Sequence, residues 1–237
     1  MKKSISEFFR KILKKILIFL SKWAINKHQI KVIVILGVNG TEILKELIYV
    51  VLSPEINVRR IINKPWWDFS VPLSILGYKD KKRNFFEWIY LIFRSIYYLL
   101  FGKVNPGSII INLNLKSNDT MRFWADILIP NYLIVSGISN IDSRTVAIIN
   151  NTVKNNGFII SKTQFKDINN YKNFKLATNL NHPSAKSLPF IPSESFELAL
   201  ATGSLFKLTP DHVITNALKI DISTLLSKIR TNLYKSE

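Results

Sequence analysis

Near the start of the chain the apolar residues Phe9, Ile12, Leu13, Ile16, Phe19, Leu20 and Trp23 return every three or four positions, with Lys11, Lys14, Lys15 and Lys22 between them. That period is helical and predicts a basic amphipathic helix over residues 1–28. The pattern then changes. KVIVILGV is a short β-branched run ending near Gly37, and TEILKELIYVVLS resumes helical spacing, giving strand, turn, helix. NVRRII is a second short strand. NFFEWIYLIFRSIYYLLF, residues 84–101, predicts a long aromatic helix whose only charges are Glu87 and Arg94. PGSIIINLNL, NYLIVSGI and GFIISK read as strands, with helices over TMRFWADIL and SRTVAIINNTVKNN between them.

From Thr163 to Pro192 the chain is rich in Asn, Lys and Pro and reads as loop. SESFELALATGSLFKL then reads as a helix with a serine- and glutamate-bearing start of the capping-box type. TPDHVITNALK opens with Thr209 as N-cap and Pro210 in the first turn, and DISTLLSKIRTNLYK is a final basic helix. Strands alternating with helices predict an α/β three-layer sandwich with a mainly parallel sheet. The strands expected in it include Val32–Leu36, Ser108–Asn112, Tyr132–Ser136 and Phe158–Ser161. The expected organisation is an N-terminal helix at 1–28, one domain at 29–220 and a C-terminal helix at 221–237.

Composition narrows the chemistry. The 237 residues, 47% of them hydrophobic, are enough for one sizeable core. Without cysteine there are no disulfides, thiolate zinc sites or cysteine nucleophiles, and three scattered histidines (His28, His182, His212) give no metal-ligand spacing. No metal site is expected. The 33 Lys and Arg against 16 Asp and Glu give a net charge of +17, which suits a membrane surface, nucleic acid or a phosphorylated substrate. Lysine-rich, AT-biased coding would give the same excess without a function. Nucleic acid is the weaker choice, because the charge is dispersed and no helix-turn-helix, RNP motif or finger is present.

The longest uncharged run of the N-terminal helix before Lys22, Ile16 to Ser21, is far below the roughly 20 apolar residues of a membrane span, and no small-residue cleavage site follows. An interfacial helix over residues 1–27 lying on an anionic bilayer is expected, making the protein cytoplasmic and peripheral on the inner face of the membrane. The competing reading packs this helix on the domain's own core. For the aromatic helix at Phe85 to Phe101 the order is reversed: a buried helix first, a membrane interface second.

VILGVNGTEILKEL has the layout of a phosphate-binding loop, strand, Gly-x-x-Gly, helix, yet Thr41 stands where such a loop carries lysine. Gly37, Asn39, Gly40, Thr41 and Lys45 are the candidate remnant of a nucleotide loop. Equally, the glycines serve a tight turn that any strand-to-helix unit needs. Lys45 and Glu46, one turn into the helix, read as a solvated face, and Trp66 and Trp67 as core or membrane-facing aromatics.

Taken in order, these pieces resemble the central ATP-binding domain of the Mur ligases, closest to the D-alanyl-D-alanine-adding type, over roughly Ser21 to Ile220. Gly37, Gly40, Lys45 and Glu46 match a loop of the pattern Gly-x-x-Gly-Lys-Thr-Thr-x-Lys-Glu. Val58, Arg59 and Arg60 match a Val-Arg-Arg, and WWDFSVPL, Trp66 to Leu73, stands for Asn-Asn-Glu-Ile-Gly-Val-Pro-Leu, with Asp68 at the glutamate. IIINLNL stands where the family has a strand ending in Glu-x-Gly, Pro130 at a Lys-Pro-Asp, and ELALATGSLFKLTPDHVITNAL resembles the closing helix pair, with its small residues Ala199, Ala201 and Gly203.

The resemblance implies a P-loop-like fold, ATP and Mg²⁺ as cofactors, and peptidoglycan precursor synthesis as the setting. The departures fall on the charged parts. Thr41, Glu42 and Ile43 occupy the places of the lysine and hydroxyls that hold phosphates and metal, and Glu42 would repel a triphosphate. Asn112 stands for the metal-binding glutamate, Asn114 for the glycine after it, and Asp142 near a family histidine. No lysine lies between Ser117 and Val153, where the family has a modified one. No counterpart of the family's UDP-sugar and amino-acid domains is expected in these residues. The expectation is therefore a catalytically inactive, membrane-associated homologue with no catalytic residue and no cofactor, partnered by the membrane surface and a cell-wall synthesis protein. The alternatives are an active ATP-dependent ligase fragment completed by another subunit, or an unrelated basic α/β module binding membrane or nucleic acid.

Overall fold

The computed structural model describes residues 2–38, 40–61, 69–78, 83–102, 107–114, 128–137, 157–161, 174–176 and 192–219. The strand β1 (Lys31–Gly37) is apolar on both faces, and all of it after Lys31 is buried. Such a strand needs neighbours on both edges and cover on both sides. It has β3 (Ser108–Asn114) on one edge and β4 (Tyr132–Ser136) on the other, both parallel, with Val34 opposite Ile111 and Leu133. The strand β2 (Val58–Arg60) pairs with the outer edge of β3, β5 (Phe158–Ser161) with β4, and β6 (Phe174–Leu176) with β5. The result is one six-stranded sheet in the order β2-β3-β1-β4-β5-β6, parallel throughout. All four strands expected in the sheet are in it.

Alternate side chains go to opposite layers. On one face Val32, Val34, Leu36, Ile109 and Ile111 meet Leu20 and Ala24 of α1 (Lys2–His28), Val71 and Ile75 of α3 (Ser70–Ile75) and Leu99 of α4 (Phe85–Phe101). On the other face Ile33, Ile35, Ile110 and Ile134 meet Leu44 and Ile48 of α2 (Thr41–Leu52), Phe196 and Ala199 of α5 (Ser193–Leu205) and Val213 of α6 (Pro210–Ala217). This is the three-layer α/β sandwich. The small residues expected to close it do so at Gly203, where a Cβ would stand 2.5 Å from Val213 Cγ2, so α5 and α6 touch through a missing side chain.

The helix starts follow local chemistry. Asn84 accepts from the Glu87 N–H at 2.8 Å while Glu87 accepts from the Asn84 N–H at 3.0 Å, closing a capping box at α4. Thr209 accepts from the His212 N–H ahead of Pro210, as its sequence predicts. At α5 the expected side-chain cap does not form. Pro192 precedes the helix without a side-chain bond, and Glu194 points elsewhere.

Three further expectations change. The stretch read as loop contains β6, whose three residues are too few for a period to register. The aromatic helix is not buried: only Leu91, Ser95 and Leu99 of α4 are, while its rings lie largely on the surface. The N-terminal helix packs on the domain, burying Leu13, Leu17, Leu20 and Ala24, with Phe8, Ile12 and Phe19 left outside. Its C-terminal Lys27 donates to the carbonyls of Leu99 and Leu100 at the end of α4. Among the described residues no helix is long and apolar enough to cross a membrane. The helices expected at 120–128 and 143–156 and at the C-terminus lie outside the described residues apart from Leu128, as do Trp66 and Trp67.

Candidate functional site

The chain leaves β1 toward β2 on one side and later returns to lay β4 on the other, so the sheet's connections diverge beside β1. In open α/β sheets, ligands bind beyond the carboxyl ends of the strands at such a point. The Gly37 to Gly40 loop lies there. Gly37 sits opposite Ser136, and a Cβ on it would stand 2.5 Å from the Ser136 carbonyl oxygen and 2.7 Å from Thr41 Cγ2. Close approach therefore requires glycine. Gly40 has open space around it but a φ of +73°, so there conformation makes the demand. Its carbonyl accepts from the Leu44 N–H at 3.0 Å, opening α2. Both glycines are explained by the turn itself.

Glu42 stands at the centre of the arrangement. One of its oxygens pairs with the Lys45 ammonium and the other accepts from Asn112 Nδ2 at 2.7 Å. Lys45 also donates to the Ile61 carbonyl at 2.9 Å and lies 3.7 Å from Glu46 Oε1, and only 1% of its side chain is exposed. Glu46, itself buried, pairs with Arg60, whose guanidinium stacks 3.9 Å from the centre of the Tyr49 ring. Two cations and two carboxylates neutralise one another across α2 and β2, with Asn112 of β3 as a neutral donor to Glu42. The expectation that Lys45 and Glu46 form a solvated face is thus overturned. Their charges are matched inside the fold, and the lysine's carbon stem packs as an apolar residue would.

A second carboxylate guards the β4 side. Glu194, in the first turn of α5, accepts from the Gly137 N–H at 2.9 Å and from Ser136 Oγ at 3.2 Å. Donors at the end of β4 are therefore already used. The N-terminus of α2 favours an anion, and Glu42 in its first turn supplies one from the chain.

Mg-ATP does not fit these residues. A triphosphate at the loop would face the Glu42 carboxylate, and Lys45 is turned toward protein oxygens. Asn112 brings no charge for a hard cation and gives its N–H to Glu42, leaving its buried Oδ1 without a hydrogen bond. Among the described residues no group of three His, Asp or Glu side chains is placed to hold a metal ion. The structure brings together Gly37, Gly40, Thr41, Lys45 and Asn112. Asn39 and Asp68 lie outside the described residues. Sequence reasoning missed the Glu46–Arg60 pair and Glu194. The bracket of Glu42 and Glu46 around Lys45 was the available signal for a paired lysine.

No protein-family model matches the chain, and no curated protein matches it in sequence. Two crystal structures of MurF from Acinetobacter baumannii align with it, each with a TM-score of 0.56 at 12% identity over 90% of this chain and 50% of the MurF chain. The chain thus spans about half the length of the MurF chains it matches. At that identity the likeness is one of architecture, and the conclusion is that this protein has a Mur-ligase-like α/β fold.

Proposed function

We propose that this chain is a Mur-ligase-like domain that no longer transfers phosphoryl groups and acts as a non-catalytic partner of a cell-wall synthesis protein. One observation supports the loss of chemistry: the loop carries the Glu42 carboxylate, paired with Lys45 and Asn112, where a phosphate loop has cationic and hydroxyl groups. In an active phosphate loop the lysine and helix N-terminus are free to neutralise the β- and γ-phosphates. Here Thr41 stands in place of that lysine, Lys45 is paired with Glu42 and Glu46, and the Glu42 carboxylate in the first turn of α2 would repel a second negative charge.

Calorimetry with Mg-ATP tests this reading. The expected result is no heat of binding at millimolar nucleotide. A dissociation constant below about 100 μM, more than about 5 kcal/mol of binding free energy, would overturn it and support the active-fragment alternative. Sedimentation of the chain mixed with an intact MurF-type ligase tests the partner: a complex is expected, and independent sedimentation would remove that half of the proposal.

A further inference from the structure

Of the fourteen large apolar side chains that the described residues leave exposed, eleven lie on α1 and α4, so the exposed apolar surface is concentrated on one helix pair. The two helices run side by side in the same direction. Phe9 meets Phe85 at their N-terminal ends, ring centres 5.2 Å apart, and Lys27 bonds the Leu99 and Leu100 carbonyls at their C-terminal ends. On α4, Phe86, Tyr90, Phe93, Tyr97 and Phe101 fall within an arc of roughly 80°, opposite the buried Leu91, Ser95 and Leu99. Around α1, moving away from the α4 contact, Phe8, Ile12 and Phe19 come next and then Lys11, Lys15 and Lys22, all exposed. An aromatic strip thus grades into a cationic rim.

One cation lies within the strip. Arg94 lines a groove of about 490 Å³ with Tyr90, Phe93, Tyr97 and Tyr98, its guanidinium 5.4 Å from the Tyr98 ring centre and 6.0 Å from that of Tyr90. Rings with a polar edge, an arginine among them and lysines beside them are the groups that settle at a lipid headgroup layer. The partner must also be anionic, since the chain carries +17 and its first 28 residues hold Glu7 as their single acid. A second copy docking strip to strip would bring two lysine rims together.

We infer that the aromatic face of α4, extended by Phe8, Ile12 and Phe19 of α1, is a docking surface for an anionic lipid bilayer, on which both helices lie flat. This differs from a membrane helix made of residues 1–27 alone, because the apolar stripe Leu13, Leu17 and Leu20 is spent inside the fold. It rests on the surface and not on the loop, so nucleotide binding would leave it standing and vesicle data leave the loop reading untouched.

The test is flotation of the full chain with vesicles of phosphatidylcholine alone or mixed with phosphatidylglycerol. Binding to the anionic vesicles is expected, weakened by salt and by omission of the anionic lipid. Phe86→Ser with Phe93→Ser and Tyr97→Ser should weaken it at least about tenfold without moving the melting midpoint, as these side chains are mostly exposed. Lys11→Gln with Lys15→Gln and Lys22→Gln should weaken it about 100-fold, about fivefold for each lysine. If the aromatic triple variant loses its fold, Phe86→Ser and Phe93→Ser singly must each weaken binding. Failure of the wild type to float, or equal flotation of the folded aromatic variants, overturns the inference. So does a dimer that those substitutions dissolve in a chain that ignores vesicles.

Discussion

The buried Lys45 offers a quantitative test of the site's internal electrostatics. At 3.7 Å and an effective dielectric of about 20, the attraction to Glu46 alone is about 4.5 kcal/mol before desolvation is counted. The pairing with Glu42 is closer, although 32% of that side chain is exposed and water screens it. Glu42→Gln with Glu46→Gln removes both anions and leaves the ammonium, 1% exposed, with neutral oxygens only. An uncompensated buried charge of this kind costs about 3–5 kcal/mol. Lys45→Met deletes the charge but keeps the stem. It forfeits the bonds to Ile61 and Glu42, while Glu46 retains Arg60 and Glu42 retains Asn112, so about 1–2 kcal/mol is expected. Adding Lys45→Met to the double glutamine variant should therefore restore about 2 kcal/mol. Urea unfolding followed by circular dichroism, compared at constant slope, measures all three. A double variant as stable as wild type, or a triple variant no better than the double, would refute the account.

The two loop glycines should respond differently. Gly37→Ala drives a Cβ into the Ser136 carbonyl and should cost about 3 kcal/mol, while Gly40→Asn, in open space at a φ that Asn tolerates, should cost less than about 1 kcal/mol by the same urea assay. Burial, and then the charge of Lys27, hold the His28 imidazole below its ordinary value of 6.5. The folded state then binds the proton less readily than the unfolded chain, so its contribution is complete above 6.5 and is lost as pH falls toward the folded value. His28→Gln should flatten the fall in melting midpoint over that acidic window, and an unchanged slope would remove His28 as its source.

The central strands were legible because burial on both faces writes unbroken apolar runs, and β1, β3, β4 and β5 all carry them. The position of α4 was legible too, but not its exposure: a sequence rich in Phe and Tyr predicts cover, and nothing local says which rings lack it. Lys45 failed for another reason. Its partners are Glu42 and Glu46 on α2 and the Ile61 carbonyl just after β2, and the two carboxylates are themselves held by Arg60 on β2 and Asn112 on β3, so a charged residue that reads as surface is neutralised by a cluster completed only in the fold. The start of α5 was read as a capping-box type, whereas its Glu194 carboxylate accepts from Ser136 and Gly137 at the end of β4.

The place of β1 in the sheet has a consequence for how the chain is born. The first strand made is a central one, and the amide of Val32 waits for the Asn131 side chain, 99 residues later in synthesis. At about 5–20 residues per second that interval is about 5–20 s on the ribosome. Sequence-adjacent α1 and α2 can cover the two faces of β1 early, through Leu20 and Ala24 on one side and Leu44 and Ile48 on the other. Its hydrogen-bonding edges have no such local cover. Until β3 arrives the nascent chain is an apolar strand open along both edges, and one edge stays open until β4 follows, a template for mispairing with other chains.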